Sequence, residues 1–426
     1  VAAVDQLFTK EFKQYLSLGK TKSVTFADAQ NSLRRIESAT RVKPAIIYAV
    51  FVPSTLASEA TGNAQSSPNG GLDLQELDRQ RQDSDQLELI LVTPDGKPIR
   101  KRVPGTTRSS VLKVAEQLRS ELTDITSRSS EYLPPAQNMY QWLVAPLEAD
   151  LKALDIQNLV FIMDSGLRSI PLPALHDGQG FLVEKYSVAL MPSLSLTDTR
   201  YQDIKDSQVL AMGASKFSNQ APLPAVPVEL SQIISLWKGQ SFLNKEFTLA
   251  NLKAQRRQKP FGIVHLATHA FFQPGEPSNS YIQLSDTKLR LNQLQQLGWN
   301  DPAVELLVLS ACKTAQGNEE VELGFAGLAV QAGVKSALAS LSFISDEGTM
   351  ALMTEFYEQL QQAPIKAEAL RRAQVAMIKG EVKLEDGQLI TPSKTFPLPP
   401  ELAKLGNQTL SHPKFWAAFT LIGNPW

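Results

Sequence analysis

Six apolar runs rich in β-branched residues, separated by stretches of helical periodicity, constrain this 426-residue chain more than any other feature. They are "KPAIIYAVFVPS" (43–54), "NLVFIMDSG" (158–166), "SQVLAMGAS" (207–215), "GIVHLATHA" (262–270), "VELLVLSAC" (304–312) and "KSALASLSFIS" (335–345). Runs of this kind, without regular polar alternation, are strands covered on both faces, and the helical stretches between them are crossovers. The expected fold class is therefore α/β: a largely parallel sheet flanked by helices. In such sheets ligands and chemistry gather at the carboxyl ends of the strands.

The length exceeds one ordinary core, and two lobes are expected, with a boundary near residue 205. Residues 1–44 read as an N-terminal helical segment, 45–205 as a first half and 206–426 as a second. A polar stretch at 55–86 reads as a flexible loop, and "LELILVTPDGKPIRKRVPG" as two strands around a Pro-Asp-Gly turn. "TPSKTFPLPPEL" reads as an ordered surface loop. The chain opens on Val rather than Met, which points to a piece of a longer polypeptide.

With 43% hydrophobic residues, 20% charged residues and a net charge of −1, the composition is that of a folded protein without the basic field of a nucleic-acid binder. No apolar run reaches the ~20 residues of a membrane span, and "VAAVDQLFTKEFKQYLSL" reads as an amphipathic helix, so the cytoplasm is the expected location. Cys312 is the single cysteine, which rules out an internal disulfide and any cysteine-cluster zinc site. No acidic run has calcium-loop spacing, and no cofactor or metal is expected.

The chemistry-bearing residues sit at strand ends. His269 closes one predicted strand and Cys312 closes the next. Should these strands be parallel neighbours, both side chains meet at one sheet edge, the geometry of a cysteine nucleophile and its histidine base. Cys312 also has a plain reading as a small buried hydrophobe. Its place at a strand end, ahead of Lys313, Thr314 and a helix start whose amide dipoles favour a thiolate, speaks for reactivity. His265 lies an even number of residues from His269, so strand alternation puts both on one face. They stand roughly 13 Å apart along a strand, too far to share a metal, and His265 reads as a hydrogen-bonded core residue. Asp346 and Glu347 follow a third strand. Ser345 or Asp346 reads as a helix N-cap, and a carboxylate there can also line a pocket and pair with a basic substrate side chain. Asp164 ends a first-half strand in the same way.

Taken together, "FGIVHLATHAFF", "VELLVLSACKTAQGNEEVELGFAGLAVQAGVKSALASLSFISDEGT" and the terminal "HPKFWAAFTLIGNPW" resemble the CHAT family, a bacterial branch of the caspase-like cysteine peptidases related to separase. "NLVFIMDSGLRSIPLPALHDGQGFLVEKYSVALMPSLSLTD" is similar to the same family, and the likeness runs from about residue 45 to the end. The resemblance implies a caspase-like fold with a degenerate first half and an active second half. It also implies a His269–Cys312 dyad, with the N–H groups of Ala270 and Cys312 as oxyanion hole. Asp346 becomes the first candidate for recognising a basic residue before the scissile bond, with Asp164 and Glu347 behind it and Ser310 along the same wall. The chain departs from the family pattern at Ala270, where Gly is usual, and at Ser342, where Trp is common.

The function so implied is a cysteine endopeptidase acting on a polypeptide substrate. Its expected control is a regulatory partner or a fused helical-repeat region outside this chain. The 55–86 loop, with Arg79 and Arg81, is a candidate self-processing site. A catalytically silent caspase-like scaffold is the alternative, and a thiol acyltransferase a more distant one.

Overall fold

The computed structural model of the chain describes residues 1–53, 78–123, 130–314, 318–342 and 344–426, with the backbone alone at 311–314. The expected strands form, together with several that the apolar runs do not announce. In chain order they are β1 (Pro44–Val52), β2 (Gln86–Val92), β3 (Ile99–Thr107), β4 (Asn158–Met163), β5 (Ser187–Leu190) and β6 (Gln208–Gly213). There follow β7 (Gly239–Leu243), β8 (Phe261–Phe272), β9 (Tyr281–Gln283), β10 (Lys288–Arg290), β11 (Leu306–Thr314) and β12 (Ser336–Ser340). The last are β13 (Lys383–Glu385), β14 (Gln388–Ile390), β15 (Thr395–Pro397), β16 (Gln408–Thr409) and β17 (Phe419–Gly423).

Among the described residues, one 13-stranded sheet runs through both halves of the chain. Its order is β7-β6-β8-β11-β12-β17-β5-β4-β1-β2-β3, with the β9–β10 hairpin continuing beside the far end of β8. The two halves are joined because β17, from the end of the chain, inserts between β12 and β5. β17 runs antiparallel to β12 and parallel to β5. The parallel strands β5, β4 and β1 therefore run opposite to the parallel set β12, β11, β8 and β6. This reversal puts the carboxyl ends of the two sets at opposite edges of the sheet.

Helices cover the sheet and bury its apolar runs into a continuous core. The Ala2–Leu16 helix is held by Arg168, whose guanidinium donates to Glu11 and to the Met163 carbonyl and lies over the Phe12 ring at 4.8 Å. The expected hairpin of β2 and β3 carries a charge cluster. Arg100 and Arg102 on β3 both pair with Glu88, a buried carboxylate on β2. The Pro-rich stretch supplies β15, one strand of a separate four-stranded antiparallel sheet, β15-β14-β13-β16. Short strands with a proline at an edge carry too little periodicity to be recognised in sequence.

Gly213 ends β6 where it touches β8. A Cβ there would meet the Ala267 carbonyl oxygen at 2.6 Å and the Val226 Cγ1 at 2.8 Å, leaving no room for a side chain without moving backbone. Gly213→Ala is expected to cost about 1–3 kcal/mol by overpacking, read as a lower urea midpoint. An unchanged midpoint would mean that the β6–β8 contact yields easily.

Candidate active site

β8 and β11 are parallel neighbours, and their register sets Ala311 opposite His269 and Cys312 opposite Ala270. The two residues singled out from the sequence thus come from adjacent positions on one sheet edge. Neither closes its strand. β8 continues three residues past His269, to Phe272, because the β9 hairpin pairs with Ala270 and Phe271 and extends the ladder; β11 continues to Thr314.

His265 and His269 both meet the chain around the Val226–Leu236 helix, His265 at Glu229 and His269 at Ala221 just before it. The register slips between Leu309 and Ala311, where β8 takes three steps, Leu266 to His269, against two on β11. His265 goes into the core, fully buried, with Nε2 at 2.8 Å from Glu229 and Nδ1 at 3.2 Å from the Tyr357 hydroxyl. Its reading as a partnered core histidine is what the geometry displays.

His269 lies beside a segment that the sequence did not mark. Its Nε2 is 2.8 Å from the carbonyl oxygen of Ala221, and its ring packs at 4.7 Å from the Phe217 ring. A carbonyl can only accept, so Nε2 carries the proton and the neutral ring keeps its basic lone pair on Nδ1. A backbone carbonyl has no side-chain signature, and Phe217 reads in sequence as one more loop aromatic. No pattern could have found either.

Asp346 starts the Asp346–Leu360 helix, with Ser345 as N-cap through its hydroxyl to the Gly348 N–H. Asp346 Oδ2 accepts from the Ala225 N–H at 2.5 Å, four residues from the carbonyl that holds His269. Burial pushes the Asp346 carboxyl up to about 7, against the Ala225 hydrogen bond and with help from the negative charges of Glu229 and Glu347. The folded chain then binds a proton that the unfolded chain releases near pH 4. Stability from this group falls as pH rises from about 4 through 7 and levels off above. Asp346→Asn removes that dependence, so its urea midpoint relative to wild type is expected to be higher at pH 8 than at pH 5. A constant difference would mean that Asp346 ionises at its ordinary value.

Asp164 is held by its own half of the chain, although the residues after it reach the helix that follows β11, with Ser165 Oγ 3.2 Å from Glu319 and the Gly166 N–H donating to Glu322 at 2.6 Å. Asp164 accepts from the Phe51 N–H at 3.0 Å and from Arg81 at 2.8 Å, a buried carboxylate already matched by its own chain. Arg79 is likewise held, 2.5 Å from Asp85. Residues 55–77 of the candidate self-processing loop lie outside the described residues. Ser310 is buried in β11 with its hydroxyl enclosed, so it forms no open pocket wall. Glu347 sits half-buried in the first helical turn beside Asp346. Ala270 has Cys312 on one flank and Ile282 on the other, so its backbone is inside the sheet on both sides. Ser342 is buried after β12. Among the described residues, no group of three or more His, Cys, Asp or Glu is arranged to hold a metal ion, and no helix is long and apolar enough to cross a membrane.

The fold is that of separase. The separase of the Saccharomyces cerevisiae separase–securin complex superposes with a TM-score of 0.51 at 11% identity, over 95% of this chain and 32% of that one. This chain therefore spans about a third of that protein. Gingipain structures align more loosely. The complex of pro- and mature domains of RgpB from Porphyromonas gingivalis gives a TM-score of 0.40 at 11% identity, over 74% of this chain and 75% of that one. The Arg-specific cysteine proteinase gingipain R gives 0.38 at 10%, over 74% and 73%. No curated protein matches the sequence significantly. The CHAT domain model matches residues 133–424, well over half of the chain. With its caspase-like sheet of mostly parallel strands flanked by helices, the chain belongs to the CHAT domain family.

Proposed function

We propose that this chain is a cysteine endopeptidase in which His269 is the base and Cys312 the nucleophile. The observation that carries the reading is the β8–β11 register, which sets the two residues at adjacent positions of one sheet edge. The Ala221 carbonyl supports it by holding the proton on Nε2 and leaving Nδ1 as the basic nitrogen. In the first step the Cys312 thiol gives its proton to His269 Nδ1, and the thiolate attacks the carbonyl carbon of a peptide bond. His269 then gives that proton to the leaving amine nitrogen as the C–N bond breaks, and a thioester remains on Cys312. Water, deprotonated by His269, attacks the thioester and restores the thiol.

Asp346 is the acid placed to receive a basic residue before the scissile bond. It is half-buried, and a guanidinium or ammonium beside it would restore its charge. Glu347, one residue on, adds to the same negative field. A lone reactive thiol suits a reducing cytoplasm. By analogy with the separase found in complex with securin, we place control of activity in a regulatory partner.

One observation favours a second reading, a catalytically silent scaffold. The Ala270 N–H, assigned to the oxyanion together with that of Cys312, belongs to a residue flanked by strands on both sides. It must leave the ladder to serve a substrate. A fluorogenic peptide panel with Arg, Lys, Asp or Leu before the scissile bond, run with wild type and Cys312→Ala, separates the two. Cleavage after Arg or Lys that vanishes in the variant supports the peptidase. No cleavage, together with a Cys312 inert to a thiol probe near neutral pH, supports the scaffold.

A further inference from the structure

We propose that Asp346 is also a positioning residue for His269, acting through the stiff segment 221–225, so that the group that receives the basic side chain also sets the base. The inference rests on the peptidase reading and goes beyond it by coupling specificity to activation.

The segment reads Ala-Pro-Leu-Pro-Ala. Pro222 and Pro224 have no N–H and fixed φ, which leaves the segment few soft torsions and few donors. The Leu223 N–H is taken by the Ser215 carbonyl at 3.0 Å. The Ala225 N–H is taken by Asp346 at 2.5 Å. One end of the segment thus presents the carbonyl that holds the His269 ring at 2.8 Å, and the other hangs on Asp346. Ala225 also precedes the Val226–Leu236 helix, whose first N–H groups lack intrahelical acceptors, so the Asp346 carboxylate caps a second helix besides opening its own.

The charge of Asp346 governs the strength of this anchor, since an ionised oxygen accepts more strongly than a protonated acid. The groups facing it are Glu229 from the Val226–Leu236 helix, itself against His265 of β8, and Glu347 on its own helix. Both carboxylates favour the protonated form of Asp346, and burial does so more strongly. A bound guanidinium reverses that balance, tightens the Asp346–Ala225 bond and fixes the 221 carbonyl against His269. A basic residue reaching Asp346 would then orient the base at the moment it is needed.

Because Cys312 is the single cysteine, its alkylation by iodoacetamide reads the site without any peptide turnover. Agmatine supplies the guanidinium. With wild type near pH 7, agmatine is expected to speed alkylation by roughly fivefold or more. Asp346→Asn keeps an acceptor for Ala225 but not the charge: it should lose the agmatine response. Asp346→Ala should lose both, with the pH midpoint of alkylation displaced upward. If agmatine competes with Arg peptides yet leaves the alkylation rate unchanged, the coupling is overturned, whether or not the alanine variant folds. If Asp346→Ala folds and its alkylation profile superimposes on wild type, positioning is overturned as well. An agmatine response from a protein that cleaves no peptide would keep the coupling and defeat the peptidase reading.

Discussion

Replacing His269 with alanine is expected to lower hydrolysis of an Arg peptide by roughly 10²- to 10⁴-fold, the usual span for losing a positioned general base and acid. Every proton transfer of the proposed cycle passes through Nδ1, whose basicity depends on the Nε2 proton being held by the Ala221 carbonyl. KM should change little, because the imidazole contributes to the reacting centre rather than to binding the basic side chain. Added imidazole should restore part of the rate, a response that a merely structural histidine would not give. His265→Ala provides the contrast. Its ring is fully buried between Glu229 and Tyr357, so the loss should appear first in the urea midpoint. Comparable kcat for His269→Ala and wild type would remove His269 as the base.

Trp416→Ala is expected to destabilise the whole molecule by about 3–5 kcal/mol, the range for deleting a large buried aromatic. Trp416 has no exposed surface, and its indole N–H donates to the Ser411 carbonyl at 3.0 Å. Its own carbonyl accepts from Gln374 at 3.0 Å, and its ring meets the edge of Phe181 at 5.1 Å. Phe181 comes from the first half of the chain and Gln374 from the second, so the indole packs where both contribute. The β17 strand that follows three residues later completes the sheet between them. Chemical unfolding of the variant should therefore remain a single transition, moved to lower urea. Two separate transitions would mean that the halves are independently stable despite the shared sheet.

The strands that matter most were legible because each is a short apolar run with a polar residue near its end, a local property of consecutive residues. β1, β4, β6 and β12 lie within such runs, and β8 and β11 overrun theirs by one or two residues at an end. The adjacency of positions 269 and 312 was legible too, since parallel neighbours joined by one crossover bring their carboxyl ends to the same edge. β9, β10 and the β13–β16 sheet were not, because strands of two or three residues have no period to detect.

What the sequence determined by itself is thus the set of buried strands, the α/β class and the candidate pair His269 and Cys312, since these follow from hydrophobic pattern and residue chemistry over a few positions. Tertiary structure decided the rest. The insertion of β17 reversed the strand direction between the halves, and Asp164 found its partners in the Phe51 N–H and Arg81. The partner of His269 is a backbone carbonyl 48 residues upstream, and that of Asp346 a backbone N–H 121 residues upstream. Every residue except proline offers both of these backbone groups, so no sequence can mark which of them a distant side chain will find. Only the packing of the 221–225 segment between β8 and the helix that Asp346 begins makes that choice.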